Sequence, residues 1–218
     1  MYFRTEGVVL KRNNFGEADR IVTIYTRDYG KISAIAKGVR RPRSKKAGHV
    51  ELGNWCKIFV ARGKNIDLLT EVELKCAFGI ANFSVEKANR IYHLLELVES
   101  LTPEHQKNPQ VFILLVQFLK MLSKPGPPRE AGGGKDEDFS LLSSVFKIKL
   151  LSTLGFFSSQ SLKDSRTKDI FKTLELEDFE TIKEEINLSP SSYLKLLSFL
   201  DSMIESLTQT KLKTSRFL

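Results

Sequence analysis

The sequence predicts an α+β protein: a five-stranded β-barrel within residues 1–80, followed by an all-helical part over residues 81–218. Three observations carry this expectation. Apolar and polar residues alternate up to Cys76, which is the period of a strand. From Ser84 onward apolar residues recur every three to four positions, the period of a helix. The positive charge is also uneven: residues 1–82 hold 16 Lys/Arg against 8 Asp/Glu, a surplus equal to the +8 of the whole chain.

The strands come first. Thr5–Lys11 is rich in apolar residues and ends at the turn residues Asn13, Asn14, Phe15 and Gly16. Between Ala18 and Thr26, Val22 and Ile24 alternate with Thr23 and Tyr25, and Asp28-Tyr29-Gly30 turns the chain. Lys31–Lys37 alternates again through Ile32, Ala34 and Ala36. After a basic connection come Trp55–Ala61, a turn at Gly63-Lys64-Asn65, and Ile66–Cys76. Five short strands with no helix between them are best closed into a small barrel, which leaves no sheet edge exposed, so the expectation is OB-fold-like.

The helices follow. Ser84 is an N-cap for a helix carrying Ile91, Leu94, Leu95, Val98 and Leu101. Asn108-Pro109 pairs a cap with proline at the first helical position and opens a helix to Leu122. That helix is apolar nearly all round, which places it at the centre of a bundle. Residues 124–138 hold three prolines and four glycines and read as a flexible surface linker. A third helix runs from Phe139 to Leu154 and stops at Gly155. Residues 156–172 are polar and without pattern, a shorter helix covers Leu176–Ile186, and Ser189-Pro190 opens the last one.

Composition narrows the function classes. No stretch is long and apolar enough to span a bilayer, and the opening MYFRTEGVVLKRNN has no signal-peptide core, so the expected location is cytoplasmic. Cys56 and Cys76 are too few for a four-cysteine zinc site and read as buried strand residues. His49, His93 and His105 are scattered, with no metal-ligand spacing, and there is no GxxxxGK[ST] phosphate loop. The expectation is therefore no metal, no cofactor and no enzymatic activity. The pairs Glu17/Asp19 and Glu71/Glu73 have the spacing to hold magnesium for a nuclease, against the commoner reading as exposed strand carboxylates.

The strongest local feature is the run from Lys37 to Lys46, in which six of ten residues are basic and none is acidic. Such a cluster repels itself unless it is solvated or meets an anion. Gly38 and Pro42 keep it out of regular structure, so it is expected to be a mobile loop at a strand end, where OB barrels grip nucleic acid. The candidate DNA-binding residues are Lys37, Arg40, Arg41, Arg43, Lys45 and Lys46, extended by Arg20, Arg27 and Lys31, with Tyr29 as a stacking platform. Phe15, Tyr25, Trp55 and Phe59 are further aromatic candidates, Trp55 and Phe59 being equally well placed for the core.

Longer motifs then suggest a family. Glu6-Gly7-Val8-Val9-Leu10, Phe15-Gly16-Glu17-Ala18-Asp19-Arg20-Ile21, and the stretch from Tyr29-Gly30-Lys31 to Gly38-Val39-Arg40-Arg41-Pro42 resemble the opening of bacterial RecO proteins. Tyr92–Val98, Phe146–Leu151 with Leu154-Gly155-Phe156, and the ending Leu212-Lys213-Thr214-Ser215-Arg216-Phe217-Leu218 are similar to the same family. The resemblance implies an OB-fold followed by a helical domain. It implies a nucleoid-associated recombination mediator in the RecF pathway of DNA repair, one that binds single- and double-stranded DNA and anneals strands. It also implies partnership with RecR and with the acidic C-terminal tail of SSB, and indirect help to RecA in loading on single-stranded DNA. Of the candidate contacts, Lys37, Arg40 and Arg41 lie inside the matching stretch; Arg43, Lys45 and Lys46 lie past it and rest on charge. Many RecO proteins carry a four-cysteine zinc module after the third helix, whereas residues 156–172 here contain no cysteine and the module is shortened or replaced. The surface for the SSB tail is left unassigned, with Lys87, Arg90, Lys147 and Lys149 as rim residues to examine. The alternative from the barrel alone is an RNA-binding or translation-associated factor.

Overall fold

A computed structural model describes residues 1–78, 80, 83–123, 134–162, 164–185, 190–208 and 212. Met1–Ser123 groups with Leu212 as one compact unit, and the described residues within Lys124–Lys211 form the second.

The first unit is built on a closed barrel of β1 (Tyr2–Phe15), β2 (Asp19–Thr26), β3 (Gly30–Ala36), β4 (Trp55–Ala61) and β5 (Asp67–Cys76), in the order β1-β2-β3-β5-β4. All neighbours are antiparallel except β3 and β5, which meet in parallel at Ala34↔Asp67 and Ile35↔Leu68. This is the OB-fold-like barrel that the strand periods predict. Phe3, Ile24, Ile32, Ile58 and Leu69 fill its interior. β1 runs past the predicted Thr5–Lys11 at both ends, because Tyr2 pairs with Ala61 to close the barrel and Phe15 pairs with Asp19 at the first turn.

The run Val8-Val9-Leu10 is buried throughout, at 0%, 1% and 4% exposure, so β1 hides both its faces. Val9 belongs to the barrel core. The outer face is covered by α1 (Val85–Leu101) and α2 (Pro109–Ser123), which lie against β1, with α2 also against β2. The predicted caps are present. Ser84 accepts from the Lys87 N–H, and Asn108 Oδ1 accepts from the N–H groups of Gln110 and Val111. The all-round apolar surface of α2, which suggested the centre of a bundle, is turned to the barrel instead: a sheet face takes up an apolar helix as well as other helices do.

In the second unit the central helix is α3 (Gly134–Thr153), which touches α4 (Ser165–Leu176), α5 (Phe179–Glu185) and α6 (Pro190–Thr208). It begins five residues before the predicted Phe139, and the rest of the predicted linker, residues 124–133, lies outside the described residues. Gly155 has φ +79°, as the predicted C′ residue requires. The stretch 156–172 is more ordered than its polarity suggested. Ser159–Ser161 forms a 3-10 turn, and Asp164 caps α4 by accepting from the Thr167 N–H at 2.8 Å. Phe157, Phe171 and Phe199 meet there with ring centroids 5.4–6.1 Å apart. The predicted helix at 176–186 is α5, opened by Asp178 accepting from Glu180 and Thr181. Ser189 lies outside the described residues, as does all of the closing motif except Leu212.

Candidate nucleic-acid interface

The basic run belongs to the connection 37–54 between β3 and β4. The sequence predicts a loop outside regular structure at a strand end, and its backbone is a succession of hydrogen-bonded turns. The N–H groups of Arg41, Ser44 and His49 donate to the carbonyls of Gly38, Arg41 and Lys46 at 3.1, 2.9 and 3.1 Å. Val39 and Val50, 1% and 0% exposed, plug it into the barrel core. The Asn54 amide donates to the carbonyls of Gly48 and His49, and His49 Nδ1 to that of Val72 at 3.0 Å. At the start of the loop Gly38 has φ +65°, strained for any residue with a Cβ, and its N–H donates to Asp19 Oδ1 at 2.7 Å. Arg40 donates from its backbone to Ala18 O at 2.8 Å and from its guanidinium to Gly16 O at 3.2 Å. The loop is thus laid against the β1–β2 turn.

This scaffold turns Lys37, Arg40, Arg41, Arg43 and Lys45 into solvent. Lys37, Arg41, Arg43 and Lys45 take part in no ion pair among the described residues. Lys46 is half-buried and reaches Thr70 O at 3.4 Å. Arg20 joins the cluster from β2 and shares Glu51 with Arg12, a residue the sequence reading missed. Two guanidiniums on one carboxylate leave a net positive charge beside the loop. Phe15, 48% exposed at the β1–β2 tip, stands next to the Gly16 carbonyl that holds Arg40. Five cations presented on an ordered backbone form a ready surface for a polyanion, since little chain entropy remains to be lost on binding.

Three predicted residues lie elsewhere. Arg20 and Arg27 stand at the two ends of β2, about 23 Å apart at the rise of a strand, so Arg27 and Tyr29 belong to the opposite end of the barrel. There Arg27 pairs with Asp28 at 3.6 Å, and the Tyr29 ring packs against the core with its centroid 4.2 Å from that of Phe3. Lys31 is a correction: it is buried, at 9% exposure, and its ammonium donates to the Glu99 carbonyl. Burial lowers its pKa, opposed by the carboxylates of Glu99 and Glu104. The ammonium that sequence pattern alone placed in solvent thus anchors α1 to the barrel.

In the helical unit Lys147 is buried against Asp201 at 3.2 Å, and Lys149 donates to the carbonyls of Glu175 and Glu177 at the end of α4. Burial lowers the Lys149 pKa as well. Both lysines therefore serve their own unit. Glu71 and Glu73, considered above for magnesium, are exposed on β5 opposite Phe59 and Lys57. Among the described residues no group of three or more His, Cys, Asp or Glu is placed to hold a metal ion, and no helix is long and apolar enough to cross a membrane.

Comparison with known proteins agrees with this architecture. Residues 1–78 match the family model described as recombination protein O N terminal, and residues 87–161 the one described as recombination protein O C terminal. The chain is 32% identical over 154 residues to the DNA repair protein RecO of Pelotomaculum thermopropionicum, covering 71% of this chain and 56% of that protein. Its similarity to the protein of the same name from Symbiobacterium thermophilum is again 32% over 154 residues, covering 71% and 57%. To that of Bifidobacterium longum it is 37% identical over 135 residues, covering 60% and 56%. The chain thus spans somewhat more than half the length of these relatives.

Proposed function

Since the chain belongs to the RecO family, we propose that it is a non-enzymatic mediator of recombinational DNA repair whose barrel binds DNA through the loop 37–46. The observation that carries this reading is the ordered display of Lys37, Arg40, Arg41, Arg43 and Lys45, solvent-exposed on a loop tied to the barrel core. Lys46, Arg20 and Arg12 flank it, and Phe15 offers a ring at its edge. Lysine and arginine neutralise phosphates and release counterions, which gives affinity without sequence preference for single- and double-stranded DNA alike. Two complementary strands gathered on such a surface lose much of their mutual repulsion, and this is the physical basis proposed for annealing. Through its relatives we extend the proposal to partnership with RecR and the acidic tail of SSB, and so to RecA loading.

Fluorescence anisotropy across a salt series tests it, with a single-stranded oligonucleotide and an SSB-tail peptide as probes. We expect binding to both, and a log–log salt slope near −4 if the six loop cations each neutralise a phosphate of a single strand, at about −0.7 each. Replacing Arg40, Arg41, Arg43, Lys45 and Lys46 by alanine weakens DNA binding and flattens the slope. Unchanged affinity in that variant sinks the proposal, and preference for RNA over matched DNA redirects it.

A further inference from the structure

We infer that the barrel carries a second nucleic-acid contact of different chemistry: a platform for stacking unpaired bases, made by Tyr2, Phe59 and Arg4 on the outer face of β1 and β4. This rests on the DNA-binding reading above and adds a site to it.

The barrel face formed by β2 and β3, where OB barrels commonly take oligonucleotides, is filled by the chain itself. Tyr25 is fully buried there and donates to Asn108 O at 3.3 Å, Ser33 donates to Glu104 Oε1 at 3.0 Å, and Lys31 is held by Glu99 O. The Gln106 carbonyl lies so close to Gly30 that a Cβ there would stand 2.1 Å from it. A nucleic acid on this face would have to displace the α1–α2 connection and pass two carboxylates.

Tyr2, Arg4 and Glu6 point outward on β1, and on β4 the outward row is Lys57, Phe59 and Ala61, in register Arg4↔Phe59 and Tyr2↔Ala61. Tyr2 is 64% exposed. Its ring stacks on Phe59 with centroids 5.5 Å apart and planes 24° from parallel, and the Arg4 guanidinium lies 4.7 Å over the Phe59 ring. An aromatic stack this open leaves ring surface on which a base can continue it, and stacking of this kind accepts any base. Beside it the β4–β5 turn presents Lys64 and Arg62, whose guanidinium pairs with Asp67 at 3.5 Å and lies 4.8 Å over the ring of Phe3. The acidic neighbours set the polarity. Glu71 and Glu73 flank the platform on β5, and Glu6 is paired to Lys75 at 3.2 Å. The sugar–phosphate chain therefore runs on the Arg4 and Lys64 side, with its bases over Tyr2.

The test compares a thymidine oligonucleotide with an abasic one of equal length and charge, both binding the full chain. Wild type binds the base-bearing strand more tightly. Tyr2→Ala and Phe59→Leu each lose roughly five- to tenfold for that strand, as expected for one base stack, while the abasic strand and the salt slope are unaffected. Tyr2→Phe retains wild-type binding. Tyr2 is exposed, so Tyr2→Ala folds even where Phe59→Leu does not. Equal binding of both oligonucleotides by wild type and Tyr2→Ala overturns the platform while leaving the basic loop intact. Loss of both oligonucleotides only in the loop variant supports the division of labour, and no binding of either by wild type overturns both readings.

Discussion

At Cys56 the barrel seals a reactive group under its own loop. The thiol is 0% exposed, donates to the His49 carbonyl at 3.2 Å, and is pushed by burial from an ordinary pKa of 9.0 to about 12. The thiolate is the reactive form, so at pH 8 a thiol reagent modifies Cys76 in the native protein, and Cys56 only after denaturant is added. Two equally fast thiols would mean that the loop opens. The same burial fixes the sign of a pH effect. A group whose folded pKa is raised contributes stability that is complete below its unfolded value and is lost as pH climbs toward the folded one. Cys56 therefore gives up stability between pH 9 and 12, and Tyr25, raised by burial from 10.0 to about 12, does so from pH 10. In urea titrations the stability gap between wild type and Cys56→Ala should narrow by about 2 kcal/mol between pH 8 and pH 10.5, at 1.36 kcal/mol per pKa unit. A gap that stays constant would show that the thiol does not titrate differently in the two states.

Among the elements, the β3–β4 loop couples packing to function. Val50→Ala should cost about 2 kcal/mol, seen as a lower melting temperature, because it empties a fully buried site. Gly38→Ala should cost about 1 kcal/mol through the left-handed backbone alone, since its Cβ would meet nothing nearer than Arg41 at 3.7 Å. Both changes conserve charge, yet both should weaken DNA binding if order in the loop is what presents the cations. A destabilised Val50→Ala protein with undiminished affinity would show that charge alone suffices. Sequence legibility divides along the same line. The strands and the capped helices α1 and α2 were readable because their signals are local: a period, or a cap such as Ser84 or Asn108. The order in the loop was not, because it comes from Val39 and Val50 standing alone in a polar run and from partners such as Val72, which is 23 residues from His49. For the same reason Arg12 and Glu51 were not seen as companions of Arg20, and α4 was missed because Phe171 and Leu174 are too sparse to mark a period. The positive charge of the loop is legible in the sequence; the separation of Arg27, Tyr29 and Lys31 from it is not, because the length of β2 and the cover of α1 are properties of the assembled barrel.

At the scale of the whole molecule, charge and packing place the working unit at different boundaries. The charge surplus is complete by residue 82, and residues 83–123 add four Lys/Arg and four Asp/Glu, leaving it unchanged. Packing requires more chain. Val8, Leu10 and Tyr25 face outward from the barrel strands yet are only 0–4% exposed, and α1 and α2 are the helices that lie against β1 in this unit. A fragment ending at residue 80 would return these three side chains to water at about 1.5–3 kcal/mol each, a loss comparable to the entire stability of a small domain. It would also strip Lys31 of the Glu99 carbonyl that satisfies its ammonium. A fragment ending at Ser123 keeps the cover, the Lys31 contact and the full charge. We therefore expect residues 1–123 to unfold cooperatively and to bind single-stranded DNA with the salt slope of the full chain, and residues 1–80 to lack a cooperative transition. If residues 1–123 fold but lose much of that slope, then phosphate contacts lie in the helical unit despite its balanced charge, and the barrel is only part of the DNA-binding surface.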